Sequence, residues 1–411
     1  MKNIKLMNKI AACGTDIFDR AVYNVADDCA APEAIMVRSA ALHDMEFNPE
    51  LLAIARCGAG VNNIPIDRCT EAGIVVFNTP GANANGVKEL VICALMLASR
   101  DVIGGANWSE TLTSDVAKTV EKGKSAFAGC ELRGKTLGVI GLGAIGAMVA
   151  NAALDLGMKV IGYDPYLTVD GAWRISRAVG HAVTTDEIFE KSDYITLHVP
   201  AVEATKGMIR KENIDKMKDG VKIINLARAD LAIAADIKDA IAAGKISAYV
   251  TDFPTEETLG VKGIINIPHL GASTGESEDN CAIMAANQLV EFLTTGNIKN
   301  SVNFPAIDLP PHDGRNVLVL HANVPATIAK ITTAVAQKGV NIEHLSNKSR
   351  GNTACTLLAL AVGTTDAEIA EMKKAIEANE DIWRVVVIYM PNANCKMQTE
   401  GRFPRVARES D

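Results

Sequence analysis

No uncharged apolar run in this 411-residue chain approaches 18 residues, so no membrane-spanning helix is expected. There is no long basic run, and the formal net charge is −8, which leaves a nucleic-acid partner without electrostatic support. Nine cysteines are scattered without any Cys-x-x-Cys pair. That pattern argues against a disulfide scaffold or a zinc site and fits reduced thiols in the cytoplasm. The basic N-terminus is followed only by Ile10-Ala-Ala-Cys13 as an apolar stretch, too short for a signal peptide. No internal repeat or low-complexity segment occurs. Hydrophobic content of 48% and charged content of 22% make an ordinary globular balance, and the length suits two or three domains. An acidic chain that binds an acidic ligand needs local cations, so isolated arginines carry weight here.

The most informative stretch is Lys135 to Gly146. An apolar run reaches Gly141-Leu-Gly143-Ala-Ile-Gly146, and an Ala-rich helical pattern leaves it. A second strand pattern, Lys159 to Tyr163, ends at Asp164, 18 residues past Gly146. Strand, tight turn, helix, strand and acid is the order of a dinucleotide-binding unit. Gly141 permits the turn, Gly143 permits close backbone approach to a pyrophosphate, and Gly146 permits helix–strand packing. The helix N-terminus offers free N–H groups to the phosphates. Asp164 can accept from both ribose hydroxyls and would repel a 2′-phosphate, which favours NAD over NADP.

Around this unit the pattern predicts an α/β chain of two Rossmann-like, doubly wound parallel-sheet domains. The discontinuous domain expected to bind substrate covers residues 1–83 and 271–300, with strands at 34–37, 52–55 and 73–77. The NAD-binding domain covers 84–270, entered by an apolar helix over 88–100. Its strands are expected near 136–140, 159–163, 193–199, 222–226, 247–251 and 264–267. A Pro-rich linker is expected over 301–314. Residues 315–390 follow in the order β-α-β-β-α-β, which is ferredoxin-like. The remainder, 391–411, has little periodicity and is expected to be disordered or vector-derived.

Three side chains follow the glycine turn at expected strand ends, where ligands of open α/β sheets gather. Arg228 can grip a carboxylate with two parallel bonds, or it can sit in a surface ion pair. Glu256, in Asp252-Phe-Pro-Thr-Glu-Glu257, is either part of a solvated loop or an orienting carboxylate. His269, between Pro268 and Gly271, is either a packed residue or a proton acceptor. Together they specify one reaction: the arginine holds a carboxylate, the histidine removes the neighbouring hydroxyl proton, and hydride passes to NAD.

These motifs resemble the D-2-hydroxyacid dehydrogenases. The resemblance runs from residue 1 to about 390 and rests on the glycine turn, Asn225-Leu-Ala-Arg228, Asp252-Phe-Pro-Thr-Glu256 and Pro268-His-Leu-Gly-Ala-Ser-Thr274. It implies catalytic roles for Arg228, Glu256 and His269. On the cofactor side it implies Gly141, Gly143, Ala144, Ile145, Gly146, Asp164, His198, Pro200, Thr205, Leu226, Ala227, Asp252 and Gly271. Whether Thr251 or Asp252 meets the nicotinamide amide stays open. On the substrate side it implies Arg38, Arg56, Gly58, Ala59, Gly60 and Asn83, the two arginines at a phosphate.

The C-terminal segment resembles the ACT regulatory fold, which implies His321, Asn323 and Asn341 as contacts of an L-serine effector. The expected reaction is NAD-dependent oxidation of 3-phospho-D-glycerate to 3-phosphohydroxypyruvate, the first step of serine biosynthesis. A homo-oligomer, dimer or tetramer, is expected, with no metal. The alternatives are the same chemistry on glycerate or lactate, and a non-catalytic NAD sensor. Two departures from the family pattern stand out. Glu257 follows Glu256 where proline is common, and Ala326 replaces a turn glycine.

Overall fold

The computed structural model describes residues 1–388. The C-terminal segment read above as 391–411 lies outside the described residues. The described chain forms two compact units, one of residues 80–280 and one that combines 1–79 with the chain from Cys281 onward.

The first unit opens with a five-stranded parallel sheet: β1 (Lys2–Met7), β2 (Tyr23–Ala26), β3 (Ala34–Val37), β4 (Ala53–Arg56) and β5 (Val75–Phe77). Their order is β2-β1-β3-β4-β5. β3 is buried throughout, and β4 is buried except at Arg56. Continuous apolar burial suits a parallel sheet covered on both faces. Met7 pairs with Val37 and Val37 with Arg56, so the segments after β1, β3 and β4 start level with one another. β1 and β2 were not expected from the sequence. Lys2, Asn3 and Lys5 dilute the apolar signal of a strand in which only Ile4 is fully buried.

The second unit carries β6 (Thr136–Ile140), β7 (Lys159–Tyr163), β8 (Gly180–His181), β9 (Tyr194–Leu197), β10 (Val221–Asn225), β11 (Ile246–Thr251) and β12 (Ile264–Asn266). They form one parallel sheet in the order β12-β11-β10-β9-β6-β7-β8. The winding reverses between β6 and β9, the switch point at which such sheets bind ligands. The helix Ala84–Ser99 turns Val87, Val91, Ala94 and Leu95 into the core, and Ala144–Asp155 turns in Val149, Ala150 and Ala153. Small alanines along the second helix let it lie close to the sheet. The chain leaves this unit and re-enters the first along the helix Gly275–Thr295.

The rest of the first unit is a four-stranded antiparallel sheet: β13 (Asn316–Ala322), β14 (Ile342–Arg350), β15 (Thr353–Leu360) and β16 (Ile382–Ile388). Its order is β14-β15-β13-β16, with helices Thr327–Ala336 and Asp366–Glu377 packed on it. This is the ferredoxin-like order. The third of its six elements is β14. β14 is a largely exposed edge strand of polar residues, so it carries little apolar alternation for sequence reasoning to find.

The stretch expected as a linker is packed. Phe304 and Ile307 are buried. Asn303 Oδ1 accepts the Val76 N–H at 2.9 Å, and its Nδ2 donates to the Ile74 carbonyl at 2.9 Å. From β16, Arg384 donates to the carbonyls of Pro49 and Leu51. The antiparallel sheet is therefore fastened to the first parallel sheet. No helix among the described residues is long and apolar enough to cross a membrane.

Candidate active site

The glycine turn begins where β6 ends. Ile140 pairs with Leu197 on one side and Tyr163 on the other, so Gly141, His198 and Asp164 emerge at one edge. Gly141 has φ +92°, and a Cβ there would lie 2.5 Å from the His198 carbonyl oxygen. A Cβ on Gly146 would lie 1.9 Å from the Gly141 carbonyl oxygen. Either position needs glycine. A Cβ on Gly143 would meet nothing within 4 Å. That open space lies at the N-cap of the helix Ala144–Asp155, which has no side-chain cap, so its first N–H groups are free for an anion.

Asp164 is oriented by two backbone amides. Its Oδ2 accepts from Leu142 and its Oδ1 from Tyr166, both at 2.9 Å. Each oxygen keeps a second lone pair for a ribose hydroxyl. His198 Nε2 lies 3.0 Å from Thr196 Oγ1. Burial pushes its imidazole down to about 4, and although the residue keeps some surface, the direction leaves the ring neutral at pH 7. Thr205 Oγ1 is already committed to the loop it closes, donating to Pro200 and accepting from Val202. Pro200 is exposed.

Asn225, Thr251 and Asn266 lie level across β10, β11 and β12. The residues that follow them are therefore delivered to one edge. After Asn225 come buried Leu226, half-buried Ala227 and exposed Arg228. Asn225 is fully buried and acts as the brace of this turn. Its Oδ1 accepts from Ala227 and Arg228 at 3.3 and 3.4 Å, and its Nδ2 donates to the Arg228 carbonyl at 2.9 Å and to Tyr249 Oη at 3.0 Å. The Arg228 guanidinium turns back to the Ala227 carbonyl at 2.7 Å and is otherwise available.

Asp252, directly after β11, is 1% exposed, and neither carboxylate oxygen makes a hydrogen bond of ordinary geometry. Burial raises its carboxyl above the usual range, while His269, the amides of Asp252 and Gly271, and Arg228 pull it back. Asp252, Arg228 and His269 thus share one neighbourhood. Thr251 faces differently, its hydroxyl accepting the Phe253 N–H at 3.1 Å. Of the two, Asp252 holds the spare buried acceptors that a carboxamide NH2 would satisfy. A Cβ on Gly271 would meet Val87 at 3.3 Å and Asp252 Oδ2 at 3.6 Å, so this position closes over the acid.

His269 is exposed, and its ring packs on Phe253 with centroids 4.6 Å apart. Glu256 is exposed on the loop after β11 and makes no hydrogen bond or ion pair with His269. The pairing expected from the sequence is not formed in this state. Catalytic hydrogen bonds of ligand-free enzymes are often long and tighten on binding. Phe253 and Asn225 are the contacts that sequence reasoning underrated. Asn three residues before a strand-end arginine was the available signal for Asn225.

In the first unit, Arg38 follows β3 and Arg56 ends β4. Asn8, in the left-handed region at φ +78°, accepts from the Ser39 and Ala40 amides and fixes the turn after Arg38. Arg56 folds over Gly58, whose φ of +149° is a backbone conformation that strains residues with a side chain and favours glycine. Burial lowers the Arg56 guanidinium from its ordinary value, and Arg38 adds to that, so two cations lie near each other. The Ala59 carbonyl accepts from Asn78 at 2.7 Å, which shapes the loop through Gly60. Burial pushes the adjacent Cys57 thiol up to about 12, leaving it neutral. Asn83 lies in the second unit, at the N-cap of the helix Ala84–Ser99.

The effector expectation meets a different geometry. His321 is buried, its Nδ1 2.8 Å from the Ala322 carbonyl and its Nε2 2.9 Å from Thr356 Oγ1. It orders the sheet interior rather than presenting a ring at the surface. Asn323 is exposed and donates to the Gly351 carbonyl, and Asn341 is exposed. No group of three or more His, Cys, Asp or Glu side chains is placed to hold a metal ion among the described residues.

A parallel sheet with a glycine turn at its switch point, a ribose-directed acid and a buried free acceptor defines a nicotinamide-dinucleotide-binding protein. Residues 94–271 match the family described as D-isomer specific 2-hydroxyacid dehydrogenase, NAD binding domain. The chain is 38% identical over 273 residues to hydroxypyruvate reductase of Thermotoga maritima, covering 64% of this chain and 85% of that protein. It therefore belongs to the D-isomer specific 2-hydroxyacid dehydrogenase family. It is also similar to D-3-phosphoglycerate dehydrogenase of Archaeoglobus fulgidus, 35% identical over 344 residues, which cover 80% of this chain and 63% of that protein. The chain thus spans less than two thirds of that relative. Among solved structures, NAD+-bound 3-phosphoglycerate dehydrogenase of Entamoeba histolytica matches 74% of this chain and 98% of that one, with TM-score 0.57 and 27% identity. D-mandelate dehydrogenase of Rhodotorula graminis shares the fold, with TM-score 0.64 over 75% of this chain and 99% of that one at 19% identity.

Proposed function

We propose that this chain is an NAD-dependent dehydrogenase that oxidises 3-phospho-D-glycerate to 3-phosphohydroxypyruvate, the first step of serine biosynthesis. The observation that carries the reading is the level alignment of Asn225, Thr251 and Asn266, which delivers Arg228, Asp252 and His269 to one edge. Gly143, Asp164 and Asp252 fit the cofactor at its pyrophosphate, ribose and carboxamide. When bound there, NAD would supply the acceptor for the hydride that leaves C2 of the hydroxy acid. Arg228 holds the substrate carboxylate with its planar fork. His269 Nε2 or Nδ1, whichever is unprotonated, takes the C2 hydroxyl proton, and Glu256 swings in to stabilise the imidazolium. Arg38 and Arg56 supply the cations for the phosphate, as an acidic chain requires.

The finer reading treats the ferredoxin-like sheet as an ACT domain that binds L-serine, and the protein as a cytoplasmic homo-oligomer. With His321 buried, Asn323 and Asn341 are the remaining polar candidates for serine. Calorimetry at millimolar serine tests this, and no heat of binding would reduce the sheet to an assembly module.

A second substrate reading is supported by the hydroxypyruvate reductase relative, of which the chain covers 85%. NADH-coupled turnover of phosphohydroxypyruvate beside hydroxypyruvate, pyruvate and 2-oxoglutarate separates the two. A strong preference for the phosphorylated acid supports the first. Equal or better turnover of hydroxypyruvate would remove Arg38 and Arg56 from the phosphate role. No turnover of any of them, unchanged in His269→Ala, would favour a non-catalytic NAD sensor.

A further inference from the structure

We propose that Thr258 and Asn266 form a clamp that positions Glu256 relative to His269. This rests on the reading of Glu256 as the carboxylate partner of His269. Glu256 sits inside a tight turn, closed by the Thr258 N–H donating to the Thr255 carbonyl at 3.0 Å. The Leu259 N–H donates to the same carbonyl at 3.2 Å. Glu256 and Glu257 are adjacent, exposed and like-charged, and neither makes an ion pair. Such a pair in a loop repels and favours an open, mobile segment.

Thr258 counters this. It is 4% exposed, and its hydroxyl donates to Asn266 Oδ1 at 2.9 Å and lies 3.0 Å from the Thr255 carbonyl. The same hydroxyl oxygen accepts the Thr255 N–H at 3.0 Å. Asn266 answers with its Nδ2, which donates to the Thr258 carbonyl at 2.8 Å. The turn that bears Glu256 is thus fastened by two reciprocal bonds to one side chain.

That side chain ends β12 and pairs with Thr251 of β11. The next amide, Ile267 N–H, donates to the Thr251 carbonyl at 2.9 Å, and Pro268 then fixes the approach to His269. The span from Asn266 to His269 is therefore short and stiff. The clamp sets the Glu256 turn and the His269 backbone in one frame, so that only the Glu256 side chain has to move to reach the ring. Neither Thr258 nor Asn266 touches the reacting atoms in this scheme, and both are positioning residues.

The test is a double-mutant cycle in the full chain, with phosphohydroxypyruvate and NADH. Thr258→Val keeps the shape and removes the hydroxyl. It should lower kcat about tenfold, with the KM for NADH unchanged, and Thr258→Ser should restore most of kcat. In a Glu256→Gln background the same Thr258→Val change should cost nothing further, because the carboxylate it positions is gone. A structural role alone would give equal losses in both backgrounds and no rescue by serine, and that result would overturn the proposal. Unchanged kcat in Thr258→Val would overturn it as well. If Glu256→Gln alone leaves kcat intact, the role given to Glu256 fails first and the clamp falls with it, an outcome distinct from the other two.

Discussion

The Leu142 N–H, inside the glycine turn, donates to Asp164 Oδ2 at 2.9 Å. The acid at the end of β7 therefore braces the turn at the end of β6, in addition to the ribose role proposed for it. Asp164→Ala should raise the KM for NAD about tenfold and relax discrimination against NADP, through loss of a charge-assisted bond and of a repulsive charge. Steady-state kinetics with both cofactors reads this. An unaltered NAD/NADP ratio would place the discriminating acid elsewhere.

Arg228 is exposed, and its backbone is held by buried Asn225. Arg228→Lys keeps the charge but loses the planar fork, so kcat/KM should fall about 100-fold, the scale of one to two charge-assisted bonds. Unchanged kcat/KM would remove Arg228 from the site.

Asp252 carries a desolvation cost. Burial raises its carboxyl above the ordinary range, so the folded chain binds that proton more tightly than the unfolded chain does. The sign follows: the contribution of this group to stability is fully present below the unfolded value and is lost as pH rises through the raised folded value. Asp252→Asn removes the charge. It should melt higher than the parent at about pH 8 and lose that advantage toward about pH 4, where the ordinary carboxyl is itself protonated. It should also raise the KM for the nicotinamide cofactor. Thermal melts across pH check the first part, and an advantage that grows on acidification would contradict it.

Ala326 caps the helix Thr327–Ala336 in the left-handed region, at φ +68°. A Cβ there costs roughly 1 kcal/mol that glycine avoids. Ala326→Gly should stabilise the ferredoxin-like sheet by about that amount in urea unfolding. A neutral or destabilising result would mean the alanine methyl makes contacts that offset the strain.

Much of the nucleotide unit was legible because its signals are local. Glycines at 141, 143 and 146 answer to backbone geometry within one turn, and β6, β7 and the helix between them follow from short apolar patterns. β1 and β14 escaped because an edge or mixed-polarity strand buries too little of its own sequence to show a period. The 301–314 stretch misled for a related reason. Proline suggested a spacer, but Asn303 gains its partners from residues more than two hundred positions away, and Phe304 packs on Trp383.

The sequence by itself determined which groups are available: the glycine turn, Asp164, Arg228, Glu256 and His269. It determined the winding of the parallel sheet through the alternation of strand and helix. Only the tertiary structure decided which groups share an environment. Burial left the Asp252 carboxylate short of well-formed hydrogen bonds beside His269 and Arg228, engaged His321 inside a sheet, and bound Thr258 to Asn266. Those outcomes depend on strand register and on desolvation. Both are set by packing between segments distant in the chain, and no local pattern encodes them.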